Sequence, residues 1–243
     1  GIVPVHQFGL CADMEGINAI AKDYDLHVIE DAACALGSGI REKHIGGFGH
    51  TACISFHPRK SITTGEGGMI LTNDEEVYQK TVALRNHGSM INSDVRQNRN
   101  GTLLPEYPLH GYNCRMTDIQ GAIGCEQVKK LDDIIERRRE LANRYDDLFS
   151  GIHDKLKIPY VPEGYFHSYQ SYVCRLKLSG EVEDIAEIRN RFMEKLQGYG
   201  IQSRQGTHAV HKLGYYRKRF GISDKELLRA SMCDAATIAL PLF

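Results

Sequence analysis

The 243-residue chain carries 30 Lys plus Arg against 31 Asp plus Glu, with 42% hydrophobic and 25% charged residues. That is a globular profile, large enough for one big domain or two smaller ones. A net charge of −1 offers no basic field for a phosphate backbone and disfavours nucleic-acid binding. No apolar run approaches the roughly 18 residues of a membrane helix, and the opening residues do not read as a signal peptide. Seven scattered cysteines, none at Cys-x-x-Cys spacing, fit free thiols in a reducing cytoplasm better than a disulfide framework or a zinc site.

The chain opens on Gly1-Ile2-Val3-Pro4-Val5 and ends on Leu240-Pro241-Leu242-Phe243. These read as the end of a buried strand and an apolar segment cut short, so a piece of a longer protein is expected. Asp13 is placed to cap a helix whose apolar positions Met14, Ile17, Ile20, Ala21 and Tyr24 recur at helical spacing. His27 to Glu30 reads as a short strand ending on Asp31, Ala52 to Phe56 as a second and Met69 to Thr72 as a third. Asn73 or Asp74 then caps a helix carrying Val77, Thr81 and Leu84. Strands alternating with helices predict a largely buried sheet of the α/β class.

Residues 88–112 are rich in Gly, Asn, Ser and Pro and read as a long surface loop. Helix resumes near Thr117, and Val128, Leu131, Ile135, Leu141, Tyr145 and Leu148 mark one long amphipathic helix with Arg137, Arg138 and Arg139 on or near its solvated side. After Gly151 the pattern becomes α+β. Ser171 to Leu178 reads as a strand, and Ile185, Ile188, Phe192 and Leu196 line a helix ending near Gly198 and Gly200. Ser223 and Glu226 have capping-box spacing ahead of another helix. The domain boundary is placed in or just after the long helix, giving domains 1–150 and 151–243.

Three polar groups follow buried strands, where α/β folds build their sites. Asp31 is followed by small residues in Asp31-Ala32-Ala33-Cys34-Ala35, which leaves room for a ligand, although an acid there also serves as a helix cap. Lys60 stands between an apolar strand and the turn Gly65-Glu66-Gly67-Gly68. Partial desolvation there would favour the neutral amine that acts as a nucleophile, and the glycines would let a bulky cofactor approach the backbone. An exposed loop lysine is the alternative. The turn has neither the Gly-Lys-Ser/Thr ending of a P-loop nor the spacing of a dinucleotide fingerprint. Gly111-Tyr112-Asn113-Cys114-Arg115-Met116 could open a helix over an anion or simply cap it. His208 and His211 lack further partners at metal-ligand spacing and read as surface or satisfied histidines. Cys34 and Cys53 read as small buried hydrophobes.

Taken together, these clusters resemble the pyridoxal-phosphate-dependent nucleotide-sugar aminotransferases, the DegT-like family of fold-type I enzymes. The matching stretches are Pro4-Val5-His6 with Gly9, Glu30-Asp31-Ala32-Ala33 with Ala35 and Gly37, and Ser55-Phe56-His57 with Lys60 and Thr63-Thr64-Gly65-Glu66-Gly67-Gly68. Gly111, Asn113 and Arg115 leading into Gln120-Gly121-Ala122 with Gly124, and the closing Leu240-Pro241-Leu242, complete the pattern. The resemblance spans essentially the whole chain. It implies a large α/β sheet domain, here partial, plus a smaller α+β domain, and a family N-terminal portion that would precede Gly1.

The resemblance also implies roles. Lys60 would hold pyridoxal 5′-phosphate covalently and shuttle a proton, and Asp31 would pair with the pyridinium nitrogen and keep it protonated. Ser55 would bind the cofactor phosphate. Asn113 would reach the phosphate of a neighbouring subunit's cofactor, so that a homodimer shares its sites, with Arg115 supporting that loop. Cys34 occupies a cofactor-contacting place where many relatives have Gln or His, and His57 receives no fixed role. The implied reaction moves an amino group from glutamate to a keto-sugar on a nucleotide carrier, for surface polysaccharide or related amino sugars. A sugar dehydratase on the same scaffold would replace the lysine with histidine, and a non-catalytic regulatory protein of this fold would not need an intact Asp31, Ser55 and Lys60.

Overall fold

A computed structural model describes residues 1–90 and 106–242; most of the expected loop 88–112 lies outside the described residues. The chain divides into two compact units. One is Gly1–Ile135 with Gly164–Ser168, and the other is Glu136–Glu163 with Tyr169–Phe243.

The first unit begins with α1 (Met14–Asp23), β1 (Ile29–Asp31), β2 (Gly39–Ile40), β3 (Lys43–His44), β4 (Thr51–Ser55) and β5 (Gly68–Thr72). It continues with α2 (Glu75–Arg85), α3 (Asp118–Val128) and the first residues of α4 (Leu131–Phe149). The caps read from the sequence at Asp13 and Asp74 are formed: Asp13 Oδ1 accepts Gly16 N–H, and Asp74 Oδ1 accepts from Glu76 and Val77. Thr117 and Gln120 add a reciprocal capping box ahead of α3 that was not read from the sequence. Each supplies donors or acceptors that a bare helix end would leave unpaired.

The main sheet has the order β1-β4-β5. β1 and β4 are parallel with Asp31 opposite Cys53, and β5 runs antiparallel to β4 with Gly68 opposite Ser55. Residues paired across a sheet share a face and alternate residues change face. Glu30, Ala52 and Ile54 therefore turn into a core with Met14, Val28 and Phe56. Ile29, Asp31, Cys53, Ser55 and Ile70 share the other face, where Ile29 and Ile70 are 41% and 50% exposed. Here the structure corrects the sequence reading: Cys53 is exposed and Cys34 only half-buried, because the apolar run 52–56 is covered on one side only. A second sheet in this unit has the order β3-β2-β7, with β7 at Tyr165–Phe166.

The expected long helix is one helix from Leu131 to Phe149, and Val128 belongs to the helix before it. α3 stops at Val128, Lys129 and Lys130 form a turn, and α4 starts at Leu131. Val128 and Leu148 are 53% and 67% exposed, so neither belongs to a buried stripe.

The second unit holds the antiparallel sheet β6-β8-β10-β9: β6 (Leu156–Lys157), β8 (Tyr172–Leu176), β9 (Arg204–Gln205) and β10 (Thr237–Leu240). Its helices are the later part of α4, α5 (Val182–Gly198), α6 (Gly214–Phe220) and α7 (Leu228–Ala236). Tyr172, Cys174 and Ile238 pack with Ala142, Tyr145 and Leu196. Tyr172 Oη donates to Asp146 at 2.5 Å, and Tyr145 Oη to the Pro241 carbonyl at 2.9 Å. Ser223 and Glu226 do hydrogen-bond, but a turn separates them from the start of α7 at Leu228. The arginine triplet also needs correction: Arg138 is half-buried and its Nη1 donates to the carbonyls of Tyr169 and Gln170.

Arg189 in α5 is 4% exposed, and its Nε and Nη1 have no hydrogen-bond partner among the described residues. Burial lowers its pKa, against an opposing pull from Asp234. A buried cation so poorly partnered costs more than a well-packed apolar chain of similar length. Arg189→Met is therefore expected to leave the thermal unfolding midpoint unchanged or raise stability by about 1 kcal/mol. A clear drop in the melting curve would show that a partner satisfies the guanidinium in solution.

No helix among the described residues is long and apolar enough to cross a membrane, and no group of three His, Cys, Asp or Glu there could hold a metal ion. His208 is exposed, while His211 Nε2 lies 2.9 Å from Asp224 Oδ1 and 3.1 Å from Ser231 Oγ. Both partners meet the same ring nitrogen, so this is a satisfied structural histidine and not a relay.

Candidate active site

The site is built from the carboxyl ends of β1 and β4. Asp31 is the last residue of β1, and its main chain is fixed from both sides. Its N–H donates to the Pro4 carbonyl at 2.9 Å, its own carbonyl accepts His6 N–H at 3.0 Å, and the next N–H, of Ala32, donates to the Cys53 carbonyl. Its carboxylate Oδ1 accepts Ala33 N–H at 3.2 Å, and Oδ2 has no hydrogen-bond partner among the described residues. Partial burial, and then the Asp31 charge, push the Cys53 thiol upward.

Beneath Asp31 lies a polar cluster that the sequence did not reveal. Glu30 and His6 are both fully buried. Glu30 accepts from His6 Nε2 at 2.9 Å and from the backbone N–H groups of Gly46, Phe48 and Gly49 at 2.9, 2.9 and 2.6 Å. His6 Nδ1 accepts Ala12 N–H at 3.1 Å, which assigns the ring proton to Nε2. Burial alone would raise the Glu30 pKa. The His6 hydrogen bond and the amides of Gly49 and Gly46 outweigh it and hold the carboxyl below its ordinary 4.5. One carboxylate thus ties the turn at 46–49 and the chain at 6–12 to the strand that carries Asp31.

Lys60 follows β4 in a loop held at many points. Thr63 Oγ1 donates to the Phe56 carbonyl and accepts Gly65 N–H, Thr64 Oγ1 donates to the Glu66 carbonyl, and Phe56 N–H donates to the Gly67 carbonyl. Gly65 sits at φ 82, a conformation that favours glycine. A Cβ on Gly67 would come within 2.5 Å of Thr64 Oγ1. Two side chains of α3 brace the loop from outside, Gln120 on the Glu66 carbonyl and Gln127 on Thr63 N–H. Lys60 Nζ is thereby carried to 3.0 Å from Cys34 Sγ, three residues past Asp31. Ser55 Oγ accepts His57 N–H at 3.3 Å, which leaves its hydroxyl proton free to donate. His57 Nε2 lies 3.8 Å from Glu66 Oε1.

Asn113 and Arg115 lie elsewhere. The segment 111–115 does not open a helix; it runs along the end of α2, with Asn113 bridged to Asn86, and Arg115 Nη1 donating to Asn86 Oδ1 at 2.8 Å. Gly88 and Gly111 permit the crossing, since a Cβ on either would collide with the backbone of the other strand of chain. Among the described residues no hydrogen bond or ion pair joins Asn113 or Arg115 to Asp31, Ser55 or Lys60. Asn86 and Gln127, which position these loops, carried no motif signal, and Gln120 stood only in the matching stretch Gln120-Gly121-Ala122 with no role given to it.

A mixed sheet with a carboxylate at the end of one parallel strand and an amine in the loop after its neighbour, together with an antiparallel α+β unit, is the partial architecture of a fold-type I transferase. The chain belongs to the DegT/DnrJ/EryC1/StrS aminotransferase family, whose model matches residues 1–243. It is 34% identical to the spore coat polysaccharide biosynthesis protein SpsC of Bacillus subtilis over 100% of its own length and 61% of that protein's. It is 33% identical to GDP-perosamine synthase of Caulobacter vibrioides over 99% of the chain and 60% of that enzyme. Among solved structures it resembles Helicobacter pylori PseC, an aminotransferase of pseudoaminic acid biosynthesis, at TM-score 0.85 and 27% identity, over 99% of this chain and 60% of that one. The PLP-form of the putative sugar aminotransferase Spr1654 of Streptococcus pneumoniae matches at TM-score 0.85 and 25% identity, covering 99% and 62%. The chain thus spans about 60% of the length of these relatives.

Proposed function

We propose that this chain is the greater part of a pyridoxal-phosphate-dependent aminotransferase that moves an amino group from glutamate to a keto-sugar carried on a nucleotide, for surface polysaccharide or related amino-sugar synthesis. The observation that carries the reading is the placement of Lys60 Nζ beside the residues that follow Asp31, in a chain matched along its whole length by an aminotransferase family. When bound, pyridoxal phosphate supplies an electron sink for breaking and making bonds at the amino-bearing carbon.

The residues present fit that group. Lys60 would hold it covalently and move a proton at Nζ. Asp31, with Oδ2 open, would keep the proton on the ring nitrogen. The Ser55 hydroxyl would donate to the phosphate, Cys34 would flank the lysine, and Asn113 would serve the cofactor of a second copy. A homodimer is supported by α3, which buries none of its residues while Ile119 and Ile123 are 75% and 44% exposed. Seven free thiols support a cytoplasmic location.

The test is the visible absorption spectrum of the protein purified from its source organism, with pyridoxal phosphate added. A yellow band that fades on adding glutamate, is absent in Lys60→Ala, and belongs to a species of dimer mass by light scattering is expected. A colourless wild-type protein, or a band that survives in Lys60→Ala, overturns the assignment of Lys60.

A further inference from the structure

Lys60 Nζ and Cys34 Sγ lie 3.0 Å apart on segments that follow the adjacent parallel strands β4 and β1. Both residues are half-buried, so a small oxidant can reach the sulfur while the two side chains stay confined against each other. A thiol oxidised to sulfenic acid condenses with a nitrogen held within reach. The other cysteines lack that arrangement. Burial, then the Glu30 charge, pushes the Cys11 thiol up to about 12, and burial with Asp146 does the same for Cys174. Cys53, Cys114 and Cys125 are exposed and Cys233 is half-buried, and no lysine nitrogen hydrogen-bonds to any of the four among the described residues.

We propose that Cys34 and Lys60 form a peroxide-driven covalent switch, in which the oxidised sulfur captures the lysine amine as a sulfenamide. Hydrogen peroxide first oxidises the thiol: its O–O bond breaks, an S–O bond forms, and water leaves. The Lys60 amine, its ammonium proton lost to solvent, then attacks the sulfur; an S–N bond forms, the S–O bond breaks, and the oxygen departs as water with an amine proton. One thiol, one amine and one peroxide give one sulfenamide and two waters, with sulfur giving up the electron pair that the peroxide accepts. Two equivalents of an external thiol reverse the link. The regulatory meaning rests on the proposed role of Lys60 as the cofactor lysine: a captured amine cannot bind the cofactor, and a bound cofactor shields the amine.

The experiment treats the purified protein with hydrogen peroxide and maps its peptides by mass spectrometry without reductant. The expected product joins the Cys34 and Lys60 peptides with the loss of two hydrogens, is cleaved by dithiothreitol, and is absent in Cys34→Ser and in Lys60→Arg. Preloading with pyridoxal phosphate is expected to lower its yield several-fold. Cys34 recovered as sulfinic acid, or in a disulfide with another cysteine, beside a free Lys60 peptide overturns the proposal. Borohydride trapping of pyridoxal phosphate on untreated protein separates the two readings. Cofactor trapped at Lys60 with no cross-link after peroxide defeats the switch alone. A cross-link without trapped cofactor upholds the capture chemistry and defeats the functional assignment.

Discussion

Asp31→Asn is expected to slow the reaction with glutamate by about a hundred- to a thousand-fold, the usual cost of removing one preorganised electrostatic partner, while leaving the fold and the bound colour intact. Asp31 does little for the structure beyond its main chain. Its backbone bonds to Pro4 and His6 do not depend on the side chain. Its one side-chain bond, Oδ1 to Ala33 N–H, is available to an asparagine oxygen of the same shape. The variant therefore loses only negative charge. On the proposed assignment, a neutral amide would not hold a proton on the cofactor's pyridine nitrogen, so the ring would be a poorer electron sink although Lys60 would still bind it. Single-turnover absorbance after mixing with glutamate reads the rate, and thermal unfolding reads the fold. A wild-type rate would remove Asp31 from the chemistry. A collapse of the melting curve would make it a structural residue instead.

What the sequence disclosed and what it hid divide along physical lines. The caps at Asp13 and Asp74 and the strand end at Asp31 were legible because a few adjacent residues decide them. Coverage was not legible. The run Ala52-Cys53-Ile54-Ser55-Phe56 reads as one largely apolar strand, yet only Ala52, Ile54 and Phe56 are buried, because a sheet face is buried by whatever packs on it and not by its own residues. The placement of Val128 was hidden because Lys129 and Lys130 are good helix formers and nothing local marks the turn they make before Leu131. Long-range polar pairing was the least visible. His6 and Glu30 meet across 24 residues, and Arg138 looked like one of three solvated arginines until its carbonyl partners at 169 and 170 were in place.

The His6–Glu30 pair carries the largest expected effect on stability. Glu30→Ala is expected to cost about 3–5 kcal/mol, the range for breaking a buried polar pair from one side, because it strands His6 Nε2 and the amides of Gly46, Phe48 and Gly49 without an acceptor. Glu30→Gln keeps the volume, removes the charge and separates packing from electrostatics. Since the folded-state carboxyl titrates below its ordinary 4.5, protons bind the unfolded chain first as pH falls. The stabilisation is complete above the unfolded-state value and is lost as pH drops through the lower, folded-state one. Urea unfolding of wild type and Glu30→Gln across this acid range should give two curves that lie far apart at neutral pH and converge on acidification. Other carboxylates contribute to both curves alike and cancel in the difference. A constant gap down to the lowest pH would mean that Glu30 stabilises by shape and neutral hydrogen bonds. A gap that widens on acidification would mean that burial wins over the four donors and that the carboxyl is protonated more readily in the fold than out of it.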